Sequence, residues 1–226
     1  MQDRNNRTIH PHRKNHQNGK YLCLNIDILT FPINRILEIY IKNNLKIWYN
    51  KTTMKENFIC LITGPAGSGK SSVSKALASK FERSAVIEVD TLRHMIKGGY
   101  VRPWPHTEEV DTQLLLSAEN ACSIADNFLE KNFTVFIDDV VGKKLLEKYS
   151  DHFKDKDFKT FLLLPSLESL MDRFDNRGND QELRLSTTEL HKKFLDKKDT
   201  LNWQVIDSSN QTLEKTVEQI YKEIIL

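Results

Sequence analysis

The chain has 226 residues, and its 33 Lys and Arg against 31 Asp and Glu give a formal net charge of +2. That length accommodates one α/β domain of ordinary size, or one domain with an appendage. No run of 18 or more apolar residues occurs, so no membrane span is expected, and the polar N-terminus shows no secretory leader.

The charge is unevenly placed. Nine of the basic and three of the acidic side chains fall in residues 1–53, which leaves that stretch at +6 and residues 54–226 at −4. The larger part is mildly acidic, so nucleic acid is not the favoured partner. Cys23, Cys60 and Cys122 show neither pairing nor metal-ligand spacing, which points to a reducing, cytoplasmic compartment. The seven histidines form no metal-binding pattern.

Residues 1–20, MQDRNNRTIHPHRKNHQNGK, are rich in Asn, His and basic residues and cannot bury a face, so disorder is expected. Ile33 to Trp48 has the makings of a short amphipathic helix, an arm for an anionic partner or a membrane surface. The competing expectation is that residues 1–53 are a non-native extension and that translation starts at Met54, with 54–226 the working domain.

Phe58 to Thr63 is apolar and β-branched without alternation, the pattern of a strand buried on both faces. Gly64, Pro65, Ala66, Gly67, Ser68, Gly69, Lys70 and Ser71 then fit G-x-x-x-x-G-K-[ST] at every fixed position. Glycines there let backbone N–H groups face phosphate oxygens. Lys70 supplies a point charge for the β- and γ-phosphates, and the Ser71 hydroxyl can ligate Mg²⁺. Ser72 continues into a helix over about Ser71 to Phe81, whose positive end faces the same phosphates. A plain flexible Gly/Ser loop would not need this spacing, so a nucleoside triphosphate, ATP with Mg²⁺, is the expected ligand. No N-K-x-D segment reads guanine.

Ser84 to Val89 is the second strand, followed by Asp90 and a short helix from Thr91 to near Gly98-Gly99. YVRPWPH is a loop, and Thr107 to Lys131 a long helix with Leu114, Leu115, Ala118, Ala121, Ala125 and Phe128 at helical spacing. Phe133 to Ile137 is a third strand ending at Asp138-Asp139. Helix Lys143 to Tyr149, strand Phe158 to Leu164, helices Ser166 to about Arg177 and Ser186 to Lys198, strand Trp203 to Ile206 and helix Leu213 to Ile224 complete the order. Strands alternating with helices imply a parallel sheet covered on both faces, with ligands at the carboxyl ends of its strands.

That edge collects Asp90, Asp138 and Asp139. Asp90 can accept a proton from an attacking hydroxyl or serve as a helix N-cap. Asp138, at the end of TVFIDD, can hold Mg²⁺ directly or through water, or be a solvated loop acid. Arg93 shares a helix face with Asp90 and can clamp an acceptor or a phosphate. Arg173 and Arg177, four apart, can close over the nucleotide or pair with the acids interleaved among them, and Gly178 offers a hinge.

The stretches GPAGSGKSS, VIEVDTLRHMIKGGYVRPW, TVFIDDVV and FLLLPSLESLMDRFDNRG resemble the small P-loop kinases of the AAA-33 type. That group is similar to chloramphenicol phosphotransferase, gluconate kinase, zeta toxin and the kinase part of polynucleotide kinase. The resemblance spans about Phe58 to Leu226. It implies an α/β P-loop NTPase sandwich, with a five-stranded parallel sheet in the order 2-3-1-4-5 and a small helical lid. It also implies Asp90 as base toward the acceptor hydroxyl, Arg93 beside it, Arg173 or Arg177 in the lid, and a turn around Asp207 to Ser209 bordering the adenine. The expected activity is transfer of the γ-phosphate of ATP to a hydroxyl of a small molecule. A polynucleotide 5′-kinase, a toxin-like sugar-nucleotide kinase and a nucleotide-binding switch without an acceptor are the alternatives. The sequence leaves the acceptor and the oligomeric state open.

Overall fold

The structure, a computed structural model, describes residues 57–175 and 181–225. The chain divides between Thr52 and Thr53, and the described residues belong to the second unit. The expectations for residues 1–53, and those for Arg177 and Gly178, lie outside the described residues.

The first strand, β1 (Ile59–Thr63), is buried along its whole length. After it come α1 (Lys70–Ala78), β2 (Ser84–Glu88), α2 (Val89–Arg93), α3 (Glu108–Leu129), β3 (Thr134–Asp138) and α4 (Lys143–His152). Then follow β4 (Phe158–Leu163), α5 (Leu167–Asp175), α6 (Gln181–Lys197), β5 (Gln204–Ile206) and α7 (Leu213–Ile225). The five strands form one parallel sheet in the order β2-β3-β1-β4-β5, the order expected from the sequence. A parallel sheet needs crossovers, and each helix that supplies one covers a face of the sheet.

Side chains alternate across β1. Ile59 and Leu61 face a core shared with Ala118, Ala121 and Ala125 of α3 and Leu145 and Tyr149 of α4. Cys60 and Ile62 face the opposite core, with Val73 and Leu77 of α1 and Val217 and Ile220 of α7. Phe136 of β3 closes that second core in a ring cluster, with its centroid 6.0 Å from Phe58 and 5.6 Å from Phe81. No helix of the described residues is long and apolar enough to cross a membrane.

Two element boundaries move, with consequences for the site. β2 stops at Glu88 and α2 begins at Val89, so Asp90 lies inside the first turn of α2 instead of capping it. β3 runs one residue later than expected, and Asp138 is its last residue. The cause is the close of α3: Asn132 takes a left-handed φ of 59°, and the Phe133 N–H turns back to the Phe128 carbonyl. Phe133 is thereby spent on the helix end, and the strand starts at Thr134. α5 and α6 occupy the stretches expected as helices over 166–177 and 186–198, with α6 starting five residues earlier than expected and residues 176 and 177 outside the described residues.

Phe136 is fully buried between strand and helix layers. Phe136→Ala is expected to cost about 3–5 kcal/mol of folding stability, read as a lowered midpoint in urea denaturation with little change of slope.

Candidate active site

The loop after β1 is fixed by close contacts. Gly64 has φ 146°, and a Cβ there would lie 2.3 Å from the Leu163 carbonyl oxygen at the end of β4. Gly67 and Gly69 also sit at positive φ, 80° and 99°, where side chains are strained. The Lys70 ammonium reaches back across the loop to donate to the Pro65 carbonyl at 3.1 Å. α1 starts after Gly69 without any side-chain cap, so its first amides face the loop. The Ser68 hydroxyl is buried with no hydrogen-bond partner among the described residues. A buried orphan hydroxyl, uncapped helix amides and a lysine inside a glycine cradle together fit an anion of phosphate size.

Asp138 stands beside this loop, in register with Ile62 of β1 and Glu88 of β2. Its carboxylate is hydrogen-bonded to the Ser71 hydroxyl. Burial raises its pKa against the opposing pull of Lys70 and that hydroxyl, and the Asp90 and Glu88 carboxylates add to the rise. Among the described residues no group of three or more His, Cys, Asp or Glu side chains could hold a metal ion. A cation at Ser71 and Asp138 would take its remaining ligands from phosphates and water, as Mg²⁺ does.

Asp139 is fully enclosed. It accepts the Val140 N–H at 2.7 Å and the Tyr149 hydroxyl at 2.9 Å. Burial pushes its pKa up to about 6, against the lowering effect of those two hydrogen bonds. The sequence offers no sign of the Tyr149 contact, because Tyr149 falls at a core spacing beside Leu145 and Leu146. Asp90 is mostly exposed and forms an ion pair with Arg93, which is buried. The Arg93 Nε has no hydrogen-bond partner among the described residues.

Arg173 is engaged at the turn after β5. It donates to the Ser208 and Ser209 carbonyls and to the Ser208 hydroxyl. The Ser166 N–H meets the Ser209 hydroxyl at 2.7 Å, and the Ser169 hydroxyl meets the Ser209 carbonyl at 3.2 Å. The root of α5 is therefore laced to the turn after β5. Ser209 in turn donates its hydroxyl to Asp207, and its N–H as well at 2.9 Å, and these two bonds hold the Asp207 carboxyl below its ordinary range. Arg184 pairs with Asp175.

Ala66 of the loop, Asp90 and Arg93 open onto one cavity of about 930 Å³. Its walls come from α2, the loop before α3, and α3, α4 and α6. Leu114, Leu115, Val140, Leu145 and Leu190 give it an apolar side. Trp104 lines it too, with the Lys193 ammonium 5.8 Å from the ring centroid. Thr187 and the lysines of this wall carry no sequence signal, since each looks like an ordinary helix residue.

A family model described as AAA domain matches residues 60–192, and no curated protein matches the chain. Among solved structures, the Deinococcus radiodurans tunicamycin resistance protein superposes with a TM-score of 0.56 at 18% identity, covering 75% of this chain and 96% of its own. A gluconokinase from Sinorhizobium meliloti gives 0.55 at 19% identity, with 75% and 93% covered. Shikimate kinase from Acinetobacter baumannii, solved with shikimate, gives 0.52 at 18% identity, with 77% and 96% covered. At such identity the likeness establishes the shared fold, that of the P-loop kinases.

Removing the hydroxyl in Tyr149→Phe leaves one oxygen of a buried carboxylate without its donor. The expected loss is about 1–3 kcal/mol of stability, measured by urea denaturation at neutral pH.

Proposed function

The chain belongs to the AAA domain family, and we propose that it is an ATP- and Mg²⁺-dependent phosphotransferase that moves the γ-phosphate to a hydroxyl of a small molecule. The observation that carries this reading is the sharing of one cavity by the phosphate loop, at Ala66, and the acid–arginine pair Asp90 and Arg93. A donor site and a proton acceptor then face the same space, as in-line transfer requires. The likeness to a gluconokinase and a shikimate kinase supports a small-molecule acceptor.

In this proposal the amides of Gly67, Ser68 and Gly69 and the Lys70 ammonium hold the phosphates. Ser71 and Asp138 would hold Mg²⁺, which supplies positive charge to offset that of the phosphates. Asp90, largely exposed beside Arg93, accepts the proton of the acceptor hydroxyl. Arg93 keeps that carboxylate oriented and offers its unused Nε–H to the acceptor or to the transferred group. Arg173 fastens the root of α5 to the 207–209 turn, and Arg177 is the proposed lid cation. In this reading residues 54–226 form the catalytic unit and work in the cytoplasm, which the free Cys60 and Cys122 support.

The test uses the full chain with Mg²⁺ and γ-labelled ATP, offered sugar acids, polyols, antibiotics, sugar nucleotides and a 5′-hydroxyl oligonucleotide. Label is expected in one small-molecule acceptor. Asp90→Asn is expected to lower transfer by about 10²–10⁴-fold with ATP affinity unchanged. Label in the oligonucleotide alone would replace the small-molecule reading. Tight ATP binding with no transfer to any compound would favour a nucleotide switch.

A further inference from the structure

The charged lining of the cavity has the wrong sign for the unit that contains it. Residues 54–226 carry a net −4, yet the cavity is lined by Arg93, Arg102, Lys143, Lys144, Lys193 and Lys197 against only Asp90, Asp111 and Glu147. Lys143 and Lys144 are the first two residues of α4, which begins at Gly142 with no side-chain cap and no acid in its first turn. Two ammonium groups therefore sit at the positive end of a ten-residue helix, where carboxylates are favoured and cations disfavoured.

The neighbouring acids do little to relieve this. Glu147 lies 3.6 Å from Lys143, and Asp111 lies 3.8 Å from Lys144 and 3.3 Å from His106. All of these side chains are well exposed, where such pairs are weak. A second, independent observation points into the same space. Thr187 of α6 lines the cavity, is 1% exposed, and its hydroxyl has no hydrogen-bond partner among the described residues. Arg93 Nε, also buried, has no hydrogen-bond partner among the described residues either. Buried polar atoms are seldom left unpaired unless a ligand or water completes them.

We propose that the acceptor carries an anionic group, a carboxylate or a phosphate monoester, on an apolar body. The anionic group docks against the uncapped start of α4 between Lys143 and Lys144. Leu114, Leu115 and Leu190 cover the body, and Thr187 bonds one of its polar atoms. The hydroxyl end lies toward Asp90 and Arg93. This rests on the phosphotransferase reading for the word acceptor, but the anion subsite itself is defined by binding alone.

The test is calorimetric titration of the full chain, saturated with Mg-ADP, with mandelate, benzyl phosphate and mandelamide. At least one of the two anions is expected to bind about tenfold more tightly than neutral mandelamide, the worth of one charge-assisted contact. The tighter of the two identifies carboxylate or phosphate. Lys143→Gln/Lys144→Gln is expected to erase the preference while melting at the same or a higher temperature, because it removes cations from a positive helix end. Thr187→Val is expected to weaken the anion about threefold or more without loss of thermal stability, because the hydroxyl it removes has no hydrogen-bond partner among the described residues. Equal binding of anion and amide, a preference that survives in the double lysine variant, or no heat from any of the three compounds would overturn the proposal. Anion preference with no labelled transfer to any hydroxyl compound would keep the subsite and remove the kinase reading.

Discussion

Gly64 has no room for a side chain, and the rest of the site follows from that. The chain leaves β1 with the Leu163 carbonyl of β4 pressed against the glycine, while the buried Thr63 hydroxyl accepts the Val141 N–H from the exit of β3. One residue pair at the end of the central strand thus fixes both neighbouring strand exits. The phosphate-sized cradle, the Asp138 carboxylate and the start of α4 are all positioned relative to those two contacts. A parallel sheet makes this economical, because every strand delivers its loop to the same edge.

Two opposite electrical environments meet at that edge. On the loop side, burial raises the proton affinity of Asp138 and Asp139 and the nearby Asp90 carboxylate adds to it, while Lys70 opposes the rise at Asp138 and Arg93 opposes it at Asp139. Burial strengthens every one of these effects, since little water remains to screen them. On the cavity side the excess is cationic and stands at an exposed rim. Each half carries an imbalance of its own sign, and a molecule bearing a phosphate at one end and a hydroxyl or anion at the other would meet both.

Much of this was legible in the sequence where the information is local. Gly64 to Ser71 declare the loop because spacing alone carries its geometry, and the runs ICLIT and TVFID announce strands covered on both faces. Asp138 could be placed since a strand end is one residue wide. Contacts between distant segments left no such trace. The grip of Arg173 on Ser208 and Ser209 spans 35 and 36 residues, and on a helix rich in acids the arginine reads equally well as a surface ion-pair partner. Tyr149 looked like core, and it is, yet its hydroxyl serves Asp139. The end of β2 shifted because the helical turn claimed Val89 and Asp90, a competition between strand and helix that no single residue decides. Thr187 was invisible for a related reason: an orphan hydroxyl is a property of its surroundings.

The two sides of the site differ in what a sequence change disturbs. The phosphate side is made of backbone, glycines and buried hydroxyls, so substitution there strains the sheet. The cavity side is lined in large part by exposed side chains such as Lys143, Lys144 and Lys193, whose replacement leaves both cores untouched. The consequence is an asymmetry of tolerance: change at the cavity wall leaves the sheet and its central loop standing, whereas change at the loop reaches the sheet itself.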